Sequence, residues 1–236
     1  LNRLLRLVSA QAEGQRRFVA DAAHQLRTPL AGLQSQVEAW AQHSAAEGGS
    51  ITLAADQLHK LRSATRRTSQ LANQLLALSR ADAQAMQTQP MQSVALKTLC
   101  EETLTQFIDA ANARRIDLGL DADEAWVSGH EWLLRELLAN LTDNAIKYTP
   151  VGGTVTIRCG MRAGRAFAEV EDDGPGIALA ERERVTERFY RVQGTSGEGN
   201  GLGLAIAFEI ARLHRAQWVL EQGADKMGLR AGVWFM

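Results

Sequence analysis

The chain has 236 residues, 45% hydrophobic and 22% charged, enough for one large domain or two modest ones, and this composition excludes disorder, collagen-like repeats and a disulfide scaffold. Its net charge of -1 is unevenly spread. Residues 1–80 hold ten Lys/Arg against five Asp/Glu, for +5, and residues 81–236 hold sixteen against twenty-two, for -6. This split predicts two units with different partners, and it is too mild to indicate nucleic acid.

The two cysteines, Cys100 and Cys159, are too few to staple a fold and are expected as small buried apolar groups in a reducing compartment. Apolar runs such as Trp132–Leu134 and Ala205–Phe208 fall far short of the ~20 residues that span a bilayer. The sequence starts at Leu1 inside an Arg/Leu pattern and shows no signal peptide, so it reads as a piece of a longer protein.

In chain order, the first third predicts a helical hairpin. Val19, Ala23, Leu26, Leu30, Leu33, Val37 and Trp40 alternate at spacings of four and three, a heptad seam. Gly48 and Gly49 interrupt it, and it resumes as Leu58, Leu61, Thr65, Thr68, Ala72 and Leu75. Such a hairpin leaves an apolar stripe uncovered, and two of them complete a four-helix bundle, so a homodimer is expected. The pattern fades over Ala81–Gln92, which reads as a linker.

Beyond it, Lys97–Ala113, Trp132–Tyr148 and Leu202–His214 predict helices. Thr154–Cys159 and Ala166–Asp172 alternate as strands of a hairpin turning through Gly160–Gly164, and Trp218–Glu221 with Gly232–Met236 predict closing strands. A sheet covered on one face by helices makes the class α+β.

On the first helix, His24 and Thr28 lie one turn apart, away from the seam, and Pro29 predicts a local kink. An exposed imidazole there is an accessible nucleophile, mostly neutral at pH 7 if its pKa is the ordinary ~6.5. By itself, His24 is equally a solvated surface histidine. Asn140 and Asn144 share a face of the second predicted helix. Their carboxamide oxygens suit Mg²⁺, with Lys147 and Tyr148 close by for a phosphate. Singly, they are also ordinary surface or capping residues.

Asp172 ends a strand before Asp173-Gly174-Pro175-Gly176-Ile177, where a carboxylate can accept from an exocyclic amine and glycines admit a flat ring. Glu187-Arg188-Phe189-Tyr190-Arg191 adds guanidinium and aromatic groups able to close over a nucleotide. Gly197-Glu-Gly199-Asn-Gly201-Leu202-Gly203-Leu204 enters a helix, an anion cradle of backbone N–H groups. Leu204 breaks a dinucleotide fingerprint starting at Gly199, and a P-loop is absent from the sequence. His43, His59, His130 and His214 lack metal-ligand spacing.

Phe18-Val-Ala-Asp-Ala-Ala-His24-Gln25-Leu-Arg-Thr28-Pro29-Leu resembles the phosphoacceptor box of sensor histidine kinases. The four later strings resemble, in order, the N, G1, F and G2 boxes of the GHKL nucleotide-binding fold. The resemblance covers Gln15–Phe235. It implies an α/β-sandwich ATP-binding domain of the GHKL type at 94–236, a phosphoacceptor hairpin at 15–82, a linker at 83–93 and the end of an upstream signalling linker at 1–14.

It implies further that His24 takes a phosphoryl group from ATP and passes it to an aspartate of a response regulator receiver domain, with Thr28 orienting the water that dephosphorylates the regulator. Gln25 stands where the family most often has Glu, and a neutral amide cannot take a proton. Asn140 and Asn144 would approach Mg²⁺ and phosphates, and Asp172 would read adenine N6 beside Gly174, Gly176 and Ile177. Arg188, Phe189 and Arg191 would lie in a lid over roughly Ala178–Glu198, and Gly199, Gly201, Leu202, Gly203 and Leu204 would border the phosphates. The fragment is then expected in the cytoplasm, and the full-length protein in the bacterial inner membrane. Two other classes remain open: a GHKL-type ATP-hydrolysing machine using Glu136, and a nucleotide-binding scaffold without phosphotransfer.

Overall fold

The computed structural model describes residues 22, 26–27, 29–42, 53–58, 60–62, 64–65, 68, 72, 90–192, 200–224 and 227–236. The chain divides into two compact units, Leu1–Leu76 and Ala77–Met236.

In the first unit, residues 29–42 are helical, and helix recurs at 55–58, 60–62, 64–65, 68 and 72. The half-buried positions on the first stretch are Ala22, Leu26, Pro29, Leu33, Gln36 and Trp40, again at heptad spacing. This corrects the expected seam in one row. Leu26, Leu33 and Trp40 are half-buried as expected, but Leu30 and Val37 stay 50% and 52% exposed. The second stretch behaves alike, with Leu61, Thr68 and Ala72 half-buried and Leu58 56% exposed.

The second unit is built on a mixed sheet. A short strand β1 (Gln92–Ala95) pairs antiparallel with β3 (Trp126–Gly129). The main sheet has the order β2-β4-β5-β7-β6, comprising β2 (Asp117–Ala122), β4 (Thr154–Arg162), β5 (Arg165–Asp172), β6 (Gln217–Gln222) and β7 (Leu229–Trp234). Only β2 with β4 is parallel among these pairs. The two edges are therefore β2 and β6, and β2 carries the exposed acids Asp117 and Asp121.

Three helices pack with the sheet: α1 (Leu96–Ala113), α2 (Glu131–Tyr148) and α3 (Gly203–Leu213). On α2, Leu133, Leu134, Leu137, Leu138, Leu141 and Ala145 are buried at helical spacing, meeting Val155 and Ile157 of the sheet and Ile206 and Ile210 of α3 in one core. Cys100 and Cys159 are buried free thiols, as expected.

Several bounds differ from the sequence expectation. The hairpin strands run on to Arg162 and restart at Arg165, because Ala163 (φ 51°) and Gly164 (φ 76°) make a tight turn with both central residues left-handed. Gly160 thus lies inside β4, opposite Phe167. Strand β7 spans Leu229–Trp234 rather than Gly232–Met236, its register set by pairing Leu229 with Asp172 on β5. Gln92 and Ser93, expected in the linker, belong to β1. Strands β1, β2 and β3 had no counterpart in the hydrophobic pattern.

Candidate functional site

The end of α2 is fixed from two directions. Thr149 takes an extended conformation before Pro150, which cannot continue the helix. Arg114, the residue that ends α1, reaches across and donates its guanidinium to the carbonyls of Lys147 (2.6 Å) and Thr149 (3.2 Å), and to that of Ile146. A cation on the last carbonyls of a helix satisfies orphan acceptors and complements its dipole. Arg114 was not singled out in the sequence, and its position at the end of a predicted helix gave little signal.

Two groups of predicted site residues come together around this helix end. At the first, Gly203 opens α3 against α2: a Cβ there would fall 2.7 Å from Asn144 Nδ2, so a side chain at this position would displace the amide. Asn144 is half-buried, and Leu202 and Leu204 flank the junction, buried and half-buried respectively. Asn140, one turn earlier, is buried and donates its Nδ2 to the Glu136 backbone carbonyl (2.8 Å) and carboxylate (3.0 Å). Burial pushes the Glu136 carboxyl up, against the lowering effect of this bond. Lys147 is ion-paired to Asp143 at 2.5 Å.

At the second, Asp172 Oδ1 accepts the Gly174 N–H at 2.9 Å. A Cβ on Gly174 would meet that same oxygen at 2.9 Å and the Tyr148 carbonyl at 3.2 Å, so the turn after β5 lies against the end of α2. Burial raises the Asp172 carboxyl to about 6, outweighing the Gly174 and Leu229 N–H groups that favour the ionised form. Beside it, Gly176 is left-handed (φ 68°) and faces the Gly228 carbonyl, where a Cβ would sit at 2.7 Å. Gly228 in turn passes so close to the Asp172 carbonyl that a Cβ would overlap it at 1.7 Å. This glycine was missed in the sequence because it stands in no recognisable string.

The third predicted string folds over two 3₁₀ turns, Leu179–Glu181 and Arg184–Thr186. Arg182 donates to the Ile177 carbonyl at 3.1 Å, Tyr190 hydrogen-bonds Glu181, and Arg184 stacks on the Tyr190 ring at 4.2 Å. Phe189 is left-handed (φ 64°), unusual for an aromatic residue, and its N–H donates to the Gly201 carbonyl at 2.8 Å. Gly201 is left-handed too (φ 64°), and a Cβ there would meet the Tyr190 carbonyl at 2.6 Å. The third and fourth strings are thus tied backbone to backbone. Arg188 is half-buried and Arg191 exposed. His24, Gln25, Thr28 and Gly199, with the rest of 193–199, lie outside the described residues.

A metal ion would find no cluster of three or more His, Cys, Asp or Glu side chains among the described residues. The α2–α3 junction instead offers a half-buried carboxamide beside a glycine backbone. That donor set fits Mg²⁺, which takes few protein ligands and completes its shell with water and phosphate oxygens.

Residues 129–234 match the family model for the histidine kinase-, DNA gyrase B- and HSP90-like ATPase, and residues 14–84 that for the His kinase A (phospho-acceptor) domain. The chain belongs to the sensor histidine kinases. It is 38% identical to the sensor protein kinase PmrB of Pseudomonas aeruginosa over 234 residues, covering 99% of this chain and 48% of PmrB. It is also 38% identical to the sensor protein QseC of Salmonella typhi over 216 residues, covering 91% of this chain and 46% of QseC. The chain thus spans about half the length of the curated relatives it matches. Among solved structures, a mycobacterial sensor histidine kinase MprB aligns with TM-score 0.54 at 28% identity, covering 61% of this chain and 96% of that one. The Acinetobacter baumannii histidine kinase AdeS aligns with TM-score 0.66 over 90% of this chain and 96% of that one, and at 22% identity this likeness concerns the fold. The second unit is therefore an ATP-binding domain of the α+β, GHKL-type architecture.

Proposed function

We propose that this chain is the catalytic part of a membrane-anchored bacterial sensor kinase. It moves the γ-phosphoryl group of ATP to a ring nitrogen of His24, releasing ADP, and then passes it to an aspartate carboxylate of a response regulator receiver domain. The observation that carries this reading is the convergence of four separated strings on the end of α2, in a chain that also holds the His24 box: Asn144 meets Gly203, Tyr148 meets Gly174 beside Asp172, and Phe189 joins Gly201.

Phosphoryl transfer asks the protein for positioning and charge neutralisation more than for covalent chemistry. Asp172 accepts from the adenine amine, with Gly174, Gly176 and Ile177 admitting the ring. Gly199, Gly201, Leu202, Gly203 and Leu204 turn backbone N–H groups toward the phosphates, and Lys147 lends positive charge near them. Asn144, with Asn140 behind it on the same helix face, would hold Mg²⁺, which would neutralise charge on the phosphate oxygens. Arg188, Phe189 and Arg191 flank the nucleotide. His24 attacks as the neutral imidazole, Gln25 orients rather than removes a proton, and Thr28 positions water when the phosphorylated regulator is dephosphorylated.

The domain bounds in this reading are 1–14, 15–82, 83–93 and 94–236, with the start of β1 at Gln92 shortening the linker to 83–91 and extending the last domain to 92–236. The half-exposed row of Leu30, Val37 and Leu58 supports homodimerisation through the hairpin. Among the described residues no helix is long and apolar enough to cross a membrane.

The test is incubation with radiolabelled Mg-ATP, followed by a chase onto receiver domains. The expected result is an acid-labile label on the wild type, lost in His24→Ala while ATP binding persists. Undiminished labelling of His24→Ala overturns the phosphoacceptor assignment, and steady phosphate release without protein labelling points to a GHKL-type hydrolysing machine instead.

A further inference from the structure

The two helices that meet at Asn144 and Gly203 meet again at their far ends. His130 is the residue that begins α2, and His214 the residue that ends α3. Both are buried, 6% and 8% exposed. The His130 backbone N–H donates to His214 Nε2 at 3.0 Å, and His214 Nδ1 lies 2.8 Å from the Ile210 carbonyl. A backbone N–H can only donate and a carbonyl can only accept, so this ring must accept at Nε2 and donate at Nδ1. Only the neutral Nδ1–H tautomer does both. The ring is also seated tightly, since a Cβ on Gly129 would fall 2.9 Å from His214 Cδ2 and 2.9 Å from Leu134 Cδ1.

We infer that His214 is a positioning residue for the phosphate end of the nucleotide site: it ties the start of α2 to the end of α3 and so holds Asn144 in place against Gly203. The assignment rests on reading the α2–α3 junction as the phosphate end. At ~1.5 Å per residue, the fourteen-residue step from His130 to Asn144 spans ~21 Å, and the eleven-residue step from Gly203 to His214 ~16 Å. His214 therefore stands well away from the nucleotide. Helices are stiff along their axes, however, so sliding at the clasp is carried to the other end of the pair. At that other end the two helices run close, since the space a Gly203 Cβ would occupy lies 2.7 Å from the Asn144 amide nitrogen.

The surroundings favour the uncharged ring. The His130 imidazole faces it edge-on at 5.8 Å, Gly129 approaches from β3, and the Ile210 carbonyl from α3 itself. The nearest charges along the two helices are engaged elsewhere, Glu131 with Arg135 and Glu209 with Arg212, and Arg215 is exposed. Burial first, and then the neighbouring His130, hold His214 below the ordinary imidazole range. Acid nonetheless works against the clasp, because a protonated ring turns a second donor toward the His130 N–H.

The test uses the whole chain and two probes, Mg-ATP and adenosine, titrated at pH 7.5 against the wild type, His214→Ala and His214→Gln. Loss of one buried hydrogen bond at the clasp is expected to weaken Mg-ATP binding in His214→Ala by about tenfold, with adenosine affinity changed by less than about twofold. The Gln carboxamide, which both donates and accepts, is expected to restore Mg-ATP affinity to within about threefold of the wild type. Unchanged Mg-ATP affinity in His214→Ala overturns the assignment, and so does a parallel loss of both probes, which marks a residue that merely supports the fold.

If His214→Ala does not fold, His214→Leu takes its place at pH 7.5 with the same two probes: it fills the space of the ring without its hydrogen bonds, so Mg-ATP binding should again weaken by about tenfold and adenosine binding by less than about twofold. Unchanged Mg-ATP affinity in that variant, or an equal loss of both probes, overturns the assignment. If the wild type binds neither probe, the nucleotide reading of the junction falls, and this inference with it.

Discussion

The two units of this chain bury apolar surface in opposite ways. In the lobe, Leu133, Leu137, Leu138, Ile157, Ile206 and Ile210 are all at most 1% exposed, and the core is closed within one copy. In the hairpin, one row of the heptad is half-buried while Leu30, Val37 and Leu58 each leave half or more of their surface in solvent. A helix pair with a second apolar row needs another surface, whereas a sheet layered with three helices does not. The difference teaches which unit carries stability alone and which carries it through assembly. With the proposed dimer, the lobe is expected to unfold as a property of one chain and the hairpin as a property of its concentration.

That contrast can be broken at either side. The largest effect is expected from Leu137→Ala, which removes a buried α2 side chain and leaves a cavity. A loss of about 2–5 kcal/mol is expected in lobe unfolding by denaturant, independent of protein concentration. A concentration-dependent loss would show that the lobe, too, relies on assembly. Val37→Asp should do the reverse. It places a charge in the exposed heptad row and is expected to weaken self-association at least tenfold by sedimentation, on the order of 1.4 kcal/mol or more, with lobe unfolding unchanged. A dimer that survives Val37→Asp would mean that the exposed row is not the interface.

Arg114→Ala sharpens the picture inside the lobe. It strips the carbonyls at the end of α2 of their partner and should cost roughly 1 kcal/mol of stability, with a measurable loss of nucleotide affinity because Asn144, Lys147 and Tyr148 lie on that last stretch. A further expectation concerns pH. With the Asp172 carboxyl held at about 6, its ionised form, the better acceptor for an amine, is lost as pH falls. Adenosine affinity should be constant above pH 7 and roughly tenfold weaker by pH 5, a dependence that Asp172→Asn should abolish. A flat profile in the wild type would separate Asp172 from adenine recognition.

Much of this architecture was legible from periodicity. The three lobe helices and the β4–β5 hairpin stand within a few residues of where the alternation of apolar positions put them, because each buries one face against one core. The misses have physical causes. Strand β2 reads Asp-Leu-Gly-Leu-Asp-Ala, poor in strand-forming residues, and its place comes from pairing with β4 over a long sequence separation. The hairpin seam was misplaced by one row because heptad spacing fixes which rows are apolar and not which of them a single chain covers. In the site, the glycines and Asp172 were visible as strings. Arg114, Gly228 and His214 were not, since each acts through a backbone carbonyl or amide that any residue supplies.

The acids of β2 have a second consequence. A terminal strand leaves a line of unmatched amides and carbonyls, an open template onto which any extended chain could add, and the remaining surface of such a sheet cannot prevent it. Asp117 puts an exposed charge on that rim, and Asp121, ion-paired to Arg158 at 3.5 Å, puts a charged pair there; charged side chains on an edge strand disfavour pairing with another edge. The residues that hid this strand from pattern reading thus also stand against pairing through this edge.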